Sequence, residues 1–486
     1  MECTSPQPPA REFDAIVIGG GISGLTCAVG LAERLRVLVL ERAPVLGGRA
    51  RSVVDEATGH SLPIGPHVFL ENYANVLSFL ERLGTRERIV WDERPHLTVS
   101  DGSRAFEAAL DSVPPPLHFW PALFNRPGIS PREIASNLPA LLFALQLDER
   151  DVLRLDDFRA SEVLGWLGVR EPSLTTLWSF MAQAILNVPL DECSAGALFR
   201  FCGFLLSRHA PRFGFADTGL GDVYAPAARQ YIERRGGQIN VNSHVTEILR
   251  HDGRVCGVRL ADGTSHFARF VVAALPADAL LATLPETLVR EPTFAELGRF
   301  EASPYVSVFL WFDHKLTRRK FWARSYDSRD FGCDFYDLSN VYRGFAAEPS
   351  LIAANIIHSH RVHALDDAVI AERIRAEVAE FLPTAREEHV VRYRVQRIPL
   401  AIHCPHVGVE RLRPETQSPL PGLLLAGDWV RTQLPSSMES AARSGWLAAE
   451  RVLEEIGRPQ ALAQPAAPIA AIPHVYRRAV SLLPVR

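Results

Sequence analysis

Ala15-Ile16-Val17-Ile18 is an unbroken apolar run that ends on three glycines, the pattern of a strand buried on both faces that breaks into a tight turn. Val37-Leu38-Val39-Leu40 repeats it about twenty residues later, and the intervening apolar stretch from Ile22 predicts a helix, so the segment reads as a βαβ unit. Val76, Leu77, Leu80 and Leu83 then fall at helical spacing before a capping Gly84. Residues 224–235 predict a helix, 238–241 a strand, and the apolar positions around Asp252-Gly253 a β-hairpin from Val245 to Leu260. Another buried strand, Leu423-Leu424-Leu425, runs into Gly427-Asp428 ahead of a long helix, for which Ser436 and Glu439 stand at capping-box spacing. The chain between these pieces is patterned differently. Ser130 and Glu133 predict one helix start and Asn137 a second, while Leu138, Leu141, Leu142 and Leu145 form a stripe suited to a core face or a membrane-docking face. Leu174, Leu177, Trp178, Met181 and Ile185 line another helix, and Ser194 caps a third. Alternation at 305–312, 351–357 and 390–395 predicts a mainly antiparallel sheet.

Within the first unit, Gly19, Gly21 and Gly24 have G-x-G-x-x-G spacing, with Ile22 and Ser23 opening the helix. The first glycine permits the turn, the second lets a pyrophosphate approach the backbone, and the third lets helix and strand pack closely. Glu41 follows the second strand, where a carboxylate can accept ribose hydroxyl hydrogen bonds. Strand, helix, strand and acid together predict dinucleotide binding.

Gly47-Gly48-Arg49 returns a second glycine pair and an arginine to the same place. Here the chain resembles the flavin amine oxidase and phytoene desaturase superfamily, whose fingerprint runs from G-x-G-x-x-G through a glutamate to G-G-R. The segment from Leu425 to Trp429, with Pro435 to Gly445, likewise resembles the LAGDW and PxSMExAxRSG signature of plant-type phytoene desaturases and hydroxysqualene dehydroxylases. The resemblance covers residue 13 to about residue 457 and implies FAD as cofactor. It adds Arg42, Gly48, Arg49, Gly427, Asp428, Ser437 and Met438 to the cofactor-binding set, places Gly65, Pro66 and His67 beside the isoalloxazine ring, and has Val245 hold the adenine through its backbone. Leu62-Pro63 departs from the family, where many relatives carry an aromatic residue and Asp. The implied activity is hydride transfer between flavin N5 and a long isoprenoid, in the direction of desaturation or of reductive dehydroxylation. A flavin amine oxidase, or a non-catalytic FAD-stabilised subunit of a membrane assembly, are the other readings.

The implied fold class is α/β, a Rossmann-like FAD-binding domain interleaved with an α+β substrate domain. The FAD domain is expected over 13–85, 219–290 and 398–457, and the substrate domain over 86–218 and 291–397. Residues 1–12 read as a disordered tail and 458–486 as an Ala/Pro-rich one. A net charge of −4 provides no basic field for nucleic acid. Seven scattered cysteines without C-x-x-C pairs read as reduced thiols, and the histidines at 358, 360 and 363 as a polar strand end with no metal. No apolar run is long enough to span a bilayer. A cytoplasmic protein is expected, with room for peripheral attachment at the inner membrane face. No paired carboxylates or nucleophile triad stand out, which suits a hydrocarbon substrate, a cofactor that carries the chemistry, and an apolar tunnel. The proline-broken aromatic cluster from Pro114 to Phe124 is expected at its entrance.

Overall fold

The computed structural model describes residues 11–100, 105–111, 113, 130–205, 211–324, 329–386 and 390–465. The Pro114 to Phe124 cluster, most of the first tail and the chain beyond residue 465 lie outside these residues.

The first sheet collects strands from three distant parts of the sequence. Gln238–Asn240, Val37–Leu40, Phe13–Ile18 and the end of Ser265–Ala273 lie side by side and parallel, and Leu423–Leu425 adds to the far edge of the last. The beginning of Ser265–Ala273 instead pairs antiparallel with Arg254–Leu260, which pairs with Val245–His251 as the expected hairpin. Every residue of the helix Ile22–Leu31 is buried, because the sheet covers one side and the final helix, Met438–Glu455, covers the other. That contact is close: a Cβ on Gly445 would stand 2.3 Å from the Ser23 carbonyl oxygen.

The second sheet runs in the order Val390–His403, Ala302–Phe312, Leu351–Ile356, Asp334–Asp337, Phe321–Arg324, His96–Ser100 and Ala105–Ala109. Its strands are antiparallel except for the pairing of Phe321–Arg324 with His96–Ser100, so the expected antiparallel sheet forms and is wider than its three legible strands. A helical layer from Pro131–Ala135 to Ala195–Leu205 closes on its own apolar core of Trp178, Phe199, Phe201 and Leu198. In the Leu-rich helix Leu138–Gln146, Leu145 is buried, whereas Leu141 and Leu142 are half-covered.

Two local expectations change. Ser436 and Glu439 form no capping box: Ser437 is the N-cap, and its Oγ accepts the Ser440 N–H at 3.2 Å. Glu439 reaches across to cap the helix Ala74–Leu83, accepting the N–H groups of Asn75 and Val76 at 2.9 Å each. The two buried orphan N–H groups at the start of Ala74–Leu83 take the carboxylate in place of the local backbone at Ser436. The segment after residue 457 begins ordered: Leu462 is buried, Glu450 accepts its N–H at 2.6 Å, and Asn75 Oδ1 accepts the Gln464 N–H at 2.8 Å. Cys27, Cys193, Cys202, Cys256, Cys333 and Cys404 are all buried and free.

Candidate active site

The turn after Phe13–Ile18 has the shape its glycines demand. Gly19 has φ of +105°, and a Cβ there would lie 2.4 Å from the Ala274 oxygen; on Gly24 it would lie 2.0 Å from the Gly19 oxygen. Gly21 differs, meeting nothing nearer than 3.8 Å, so its backbone faces open space where a diphosphate can approach. Gly47 donates its N–H to the Gly20 carbonyl at 2.8 Å, bringing Gly48 over Gly21. The two glycine segments therefore form one cradle at the N-terminus of Ile22–Leu31, with Ile22 and Ser23 in its wall.

Glu41 stands at the end of Val37–Leu40, its carboxylate accepting the N–H groups of Gly20 and Ala43 at 2.7 Å each. A carboxylate has about four acceptor sites, so two remain for hydroxyls. Arg42 is exposed at the rim, and buried Val245 lines the same end with Ser243 and Thr246.

Arg49 pairs with Asp428 across the cradle and also donates to the Ala401 carbonyl at 3.2 Å. Burial alone would push the Asp428 carboxyl up, but Arg49, then His403 and Arg413, override it and hold it below the usual carboxylate range. Gly427 before it has φ of +152°, which brings its backbone N–H to the Ser444 hydroxyl at 2.8 Å. Ser437, Met438 and Ala441 bring the N-terminal turn of the last helix to the cavity wall. In the Gly65-Pro66-His67 segment, His67 Nδ1 bonds the Gly65 carbonyl at 2.6 Å, and burial lowers the imidazole's pKa, which favours the neutral ring. All the residues that the sequence singled out for the cofactor thus adjoin one region of space, Gly24 acting from behind as a packing residue.

That region is one end of a continuous cavity of about 1130 Å³, above the roughly 300–1,000 Å³ of ordinary ligand pockets. It has room for a dinucleotide and a second ligand. The other end lies between the second sheet and the helical layer and is walled by Leu177, Phe180, Ile185, Phe201, Leu205 and Phe321.

A polar cluster that the sequence reading missed interrupts this apolar wall. Asp334 accepts at Oδ2 from the Tyr336 hydroxyl and from Asn355 Nδ2, the latter at 3.2 Å; Asn355 in turn accepts from Ser307 at 2.8 Å and donates to the Pro66 carbonyl at 3.3 Å. A single hydrogen bond thus links the cluster to the Gly65-Pro66-His67 segment. Burial pushes the Asp334 carboxyl up to about 6, even with Tyr336 and Asn355 holding it down. The absence of paired acids in the sequence was therefore no guide to this wall, which holds one buried carboxyl hydrogen-bonded by a phenol. The available signal was the pair Asp334 and Tyr336, two positions apart and so on one face of a short strand.

The family model described as flavin containing amine oxidoreductase matches residues 22–453. Among curated proteins, the chain is 25% identical over 480 residues to the chloroplastic/chromoplastic 15-cis-phytoene desaturase of Solanum lycopersicum, covering 94% of this chain and 81% of that one. It is also 25% identical over 476 residues to the 15-cis-phytoene desaturase of Synechococcus elongatus, covering 92% and 99%. Among solved structures, the cyclohexylamine oxidase of Brevibacterium oxydans superposes with a TM-score of 0.69 at 18% identity, covering 92% of this chain and all of that one.

Proposed function

Because the chain belongs to the flavin-containing amine oxidoreductases and is an FAD-dependent oxidoreductase, we propose that it dehydrogenates a long isoprenoid chain, passing hydride from a substrate carbon to the flavin. One observation carries the choice of substrate: the cavity end beyond the cofactor cradle is deep, continuous with it and mostly apolar, as a hydrocarbon chain requires. The relatives named 15-cis-phytoene desaturase point the same way.

When bound, FAD supplies the two-electron acceptor. The chain's own residues then have the following roles. Gly21 and Gly48 admit the diphosphate, and Glu41 accepts the ribose hydroxyls. Arg49, paired with Asp428, would lie toward the diphosphate, and Asp428 would accept the cofactor's hydroxyls. The backbone of Val245 holds the adenine. The N–H groups at Ser437 and Met438, at the positive end of the last helix, would hold the pyrimidine edge of a bound flavin and favour negative charge there. Gly65, Pro66 and His67 would cover the ring of a bound flavin on the substrate side. The FAD-binding and substrate domains divide near residues 86, 219, 291 and 398. Among the described residues no helix is long and apolar enough to cross a membrane, so a membrane-dissolved substrate would enter through peripheral attachment, with half-covered Leu141 and Leu142 on the docking face. Trp120, the other expected docking residue, lies outside the described residues.

Anaerobic mixing of the FAD-loaded protein with 15-cis-phytoene in phosphatidylcholine vesicles, and separately with cyclohexylamine, tests the reading. Bleaching of the flavin by the polyene supports it. Bleaching by the amine alone replaces it with amine oxidation.

A further inference from the structure

Hydride removal from a hydrocarbon leaves a second hydrogen to be lost as a proton, and the cavity holds a group suited to take it. Asp334 is nine-tenths buried and lines the cavity. Both side-chain hydrogen bonds to its carboxylate fall on Oδ2; the backbone N–H groups of Asp334 and Asn355 lie near enough to hold its pKa down, yet Oδ1 completes no hydrogen bond among the described residues. An orphaned carboxylate oxygen in a closed apolar space costs free energy unless something in that space uses it. The cluster is also placed for the chemistry, since Asn355 ties Asp334 directly to the Pro66 carbonyl, in the segment assigned above to the flavin's substrate side.

Resting on the isoprenoid reading, we propose that Asp334 is the proton acceptor of the reaction: as hydride leaves one substrate carbon for the flavin, Oδ1 takes the proton from the adjacent carbon, and the electron pair of that C–H bond closes the double bond. Two C–H bonds break: one hydrogen leaves as hydride with both electrons to the flavin, the other as the proton that forms the O–H bond, while the second electron pair forms the C=C bond; the flavin's two electrons then pass to a quinone-class acceptor. Tyr336 and Asn355 keep Oδ2 occupied, which leaves Oδ1 to face the substrate. The groups around the carboxyl are Tyr336 and Cys333 on its own side of the strand end, Tyr305 on Ala302–Phe312, Asn355 on Leu351–Ile356, and Ala323 paired across on Phe321–Arg324. Burial and the neighbouring carboxylate push the phenols of Tyr305 and Tyr336 well up, so both remain protonated donors at neutral pH. With the carboxyl titrating near 6, it is mostly ionised at neutral pH and ready to accept, and it loses that capacity as pH falls through 6.

Asp334→Asn and Tyr336→Phe test this in FAD-loaded protein. The carbonyl stretch of a protonated carboxyl, followed by infrared spectroscopy from about pH 8 to about pH 5, should titrate near 6 in the parent, vanish in D334N and titrate higher in Y336F. With 15-cis-phytoene in phosphatidylcholine vesicles and a benzoquinone acceptor, D334N should turn over about 100-fold or more slowly, without the parent's loss of rate below the midpoint, at unchanged flavin content and vesicle binding. Wild-type turnover by D334N, or an infrared band unaffected by the substitution, overturns the proposal while leaving the isoprenoid reading intact. A parent protein inert toward the polyene defeats the reading itself. If that protein binds cyclohexylamine and D334N does not, the carboxylate is a counter-ion for an ammonium and the proposal is wrong.

Discussion

Replacing Glu410 by Gln should loosen the helical layer and the cofactor cradle together. Glu410 is 1% exposed and sits between two buried guanidiniums: Arg200 Nε donates to one carboxylate oxygen and Arg413 Nε to the other, both at 3.0 Å. Arg200 belongs to the helix Ala195–Leu205, whereas Arg413 also donates to the Asp428 carbonyl and the Ser436 hydroxyl on the cofactor side. Breaking a buried pair from one side costs about 3–5 kcal/mol, because the remaining charge keeps its desolvation penalty. Arg200 retains its two bonds to Glu149 and Gln retains one acceptor, so about 3 kcal/mol is expected. Burial would raise the Glu410 carboxyl, but Arg413 and then Arg200 hold it below its ordinary value. Its charged form is thus stabilised by folding; the contribution is complete above about pH 4.3 and is lost as pH falls through the lower folded value. Urea unfolding, followed by tryptophan and flavin fluorescence at neutral and acidic pH, should show a lower midpoint for E410Q, earlier FAD release and a weaker acid dependence than the parent. Glu286→Gln, in an exposed pair with Arg290, is the control expected to change stability by less than about 0.5 kcal/mol. Equal midpoints and equal FAD retention for E410Q and E286Q would refute the reasoning.

Glu41→Ala should weaken FAD binding by about 1–3 kcal/mol in a flavin-fluorescence titration of the apoprotein, and equal affinity would remove Glu41 from the ribose site. Gly24→Ala should abolish FAD binding, since its Cβ would meet backbone at 2.0 Å, whereas Gly203→Ala, with no neighbour within 4 Å in a helix, should raise stability by about 0.5–1 kcal/mol. Proline at Met438, the first helical position after Ser437, should leave the helix intact yet shift the flavin potential by deleting one N–H; unchanged potentials count against the placement of this helix. Leu142→Asp should reduce co-flotation with liposomes while FAD content stays equal, and undiminished flotation rejects that docking face.

The sequence was most legible where function is local. The turn at Gly19, the strand Val37–Leu40 and Glu41 lie within one short unit, so spacing alone specifies their geometry. Contacts between distant segments left no such trace. Arg49 and Asp428 are 379 positions apart, and each reads separately as a cofactor contact, with no hint that they pair. Glu439 followed the local capping rule in appearance but bonds to Asn75, 364 residues away. The strand Asp334–Asp337 escaped because it is only four residues long and begins and ends on an aspartate, which gives no apolar run or alternation to read.

The Glu439 cap also constrains when the protein can take up its cofactor. At a ribosomal rate of about 5–20 residues per second, the 364 residues separating Asn75 from Glu439 take roughly 20–70 s to synthesise. For that whole interval the helix Ala74–Leu83 lacks its cap and the helix Ile22–Leu31 lacks the cover of Met438–Glu455, and Ser265–Ala273, once made, has an empty edge until Leu423–Leu425 follows. The nascent chain carries the glycine cradle early but cannot seal it, so flavin insertion follows synthesis of Met438–Glu455, and truncation of that helix should yield colourless protein.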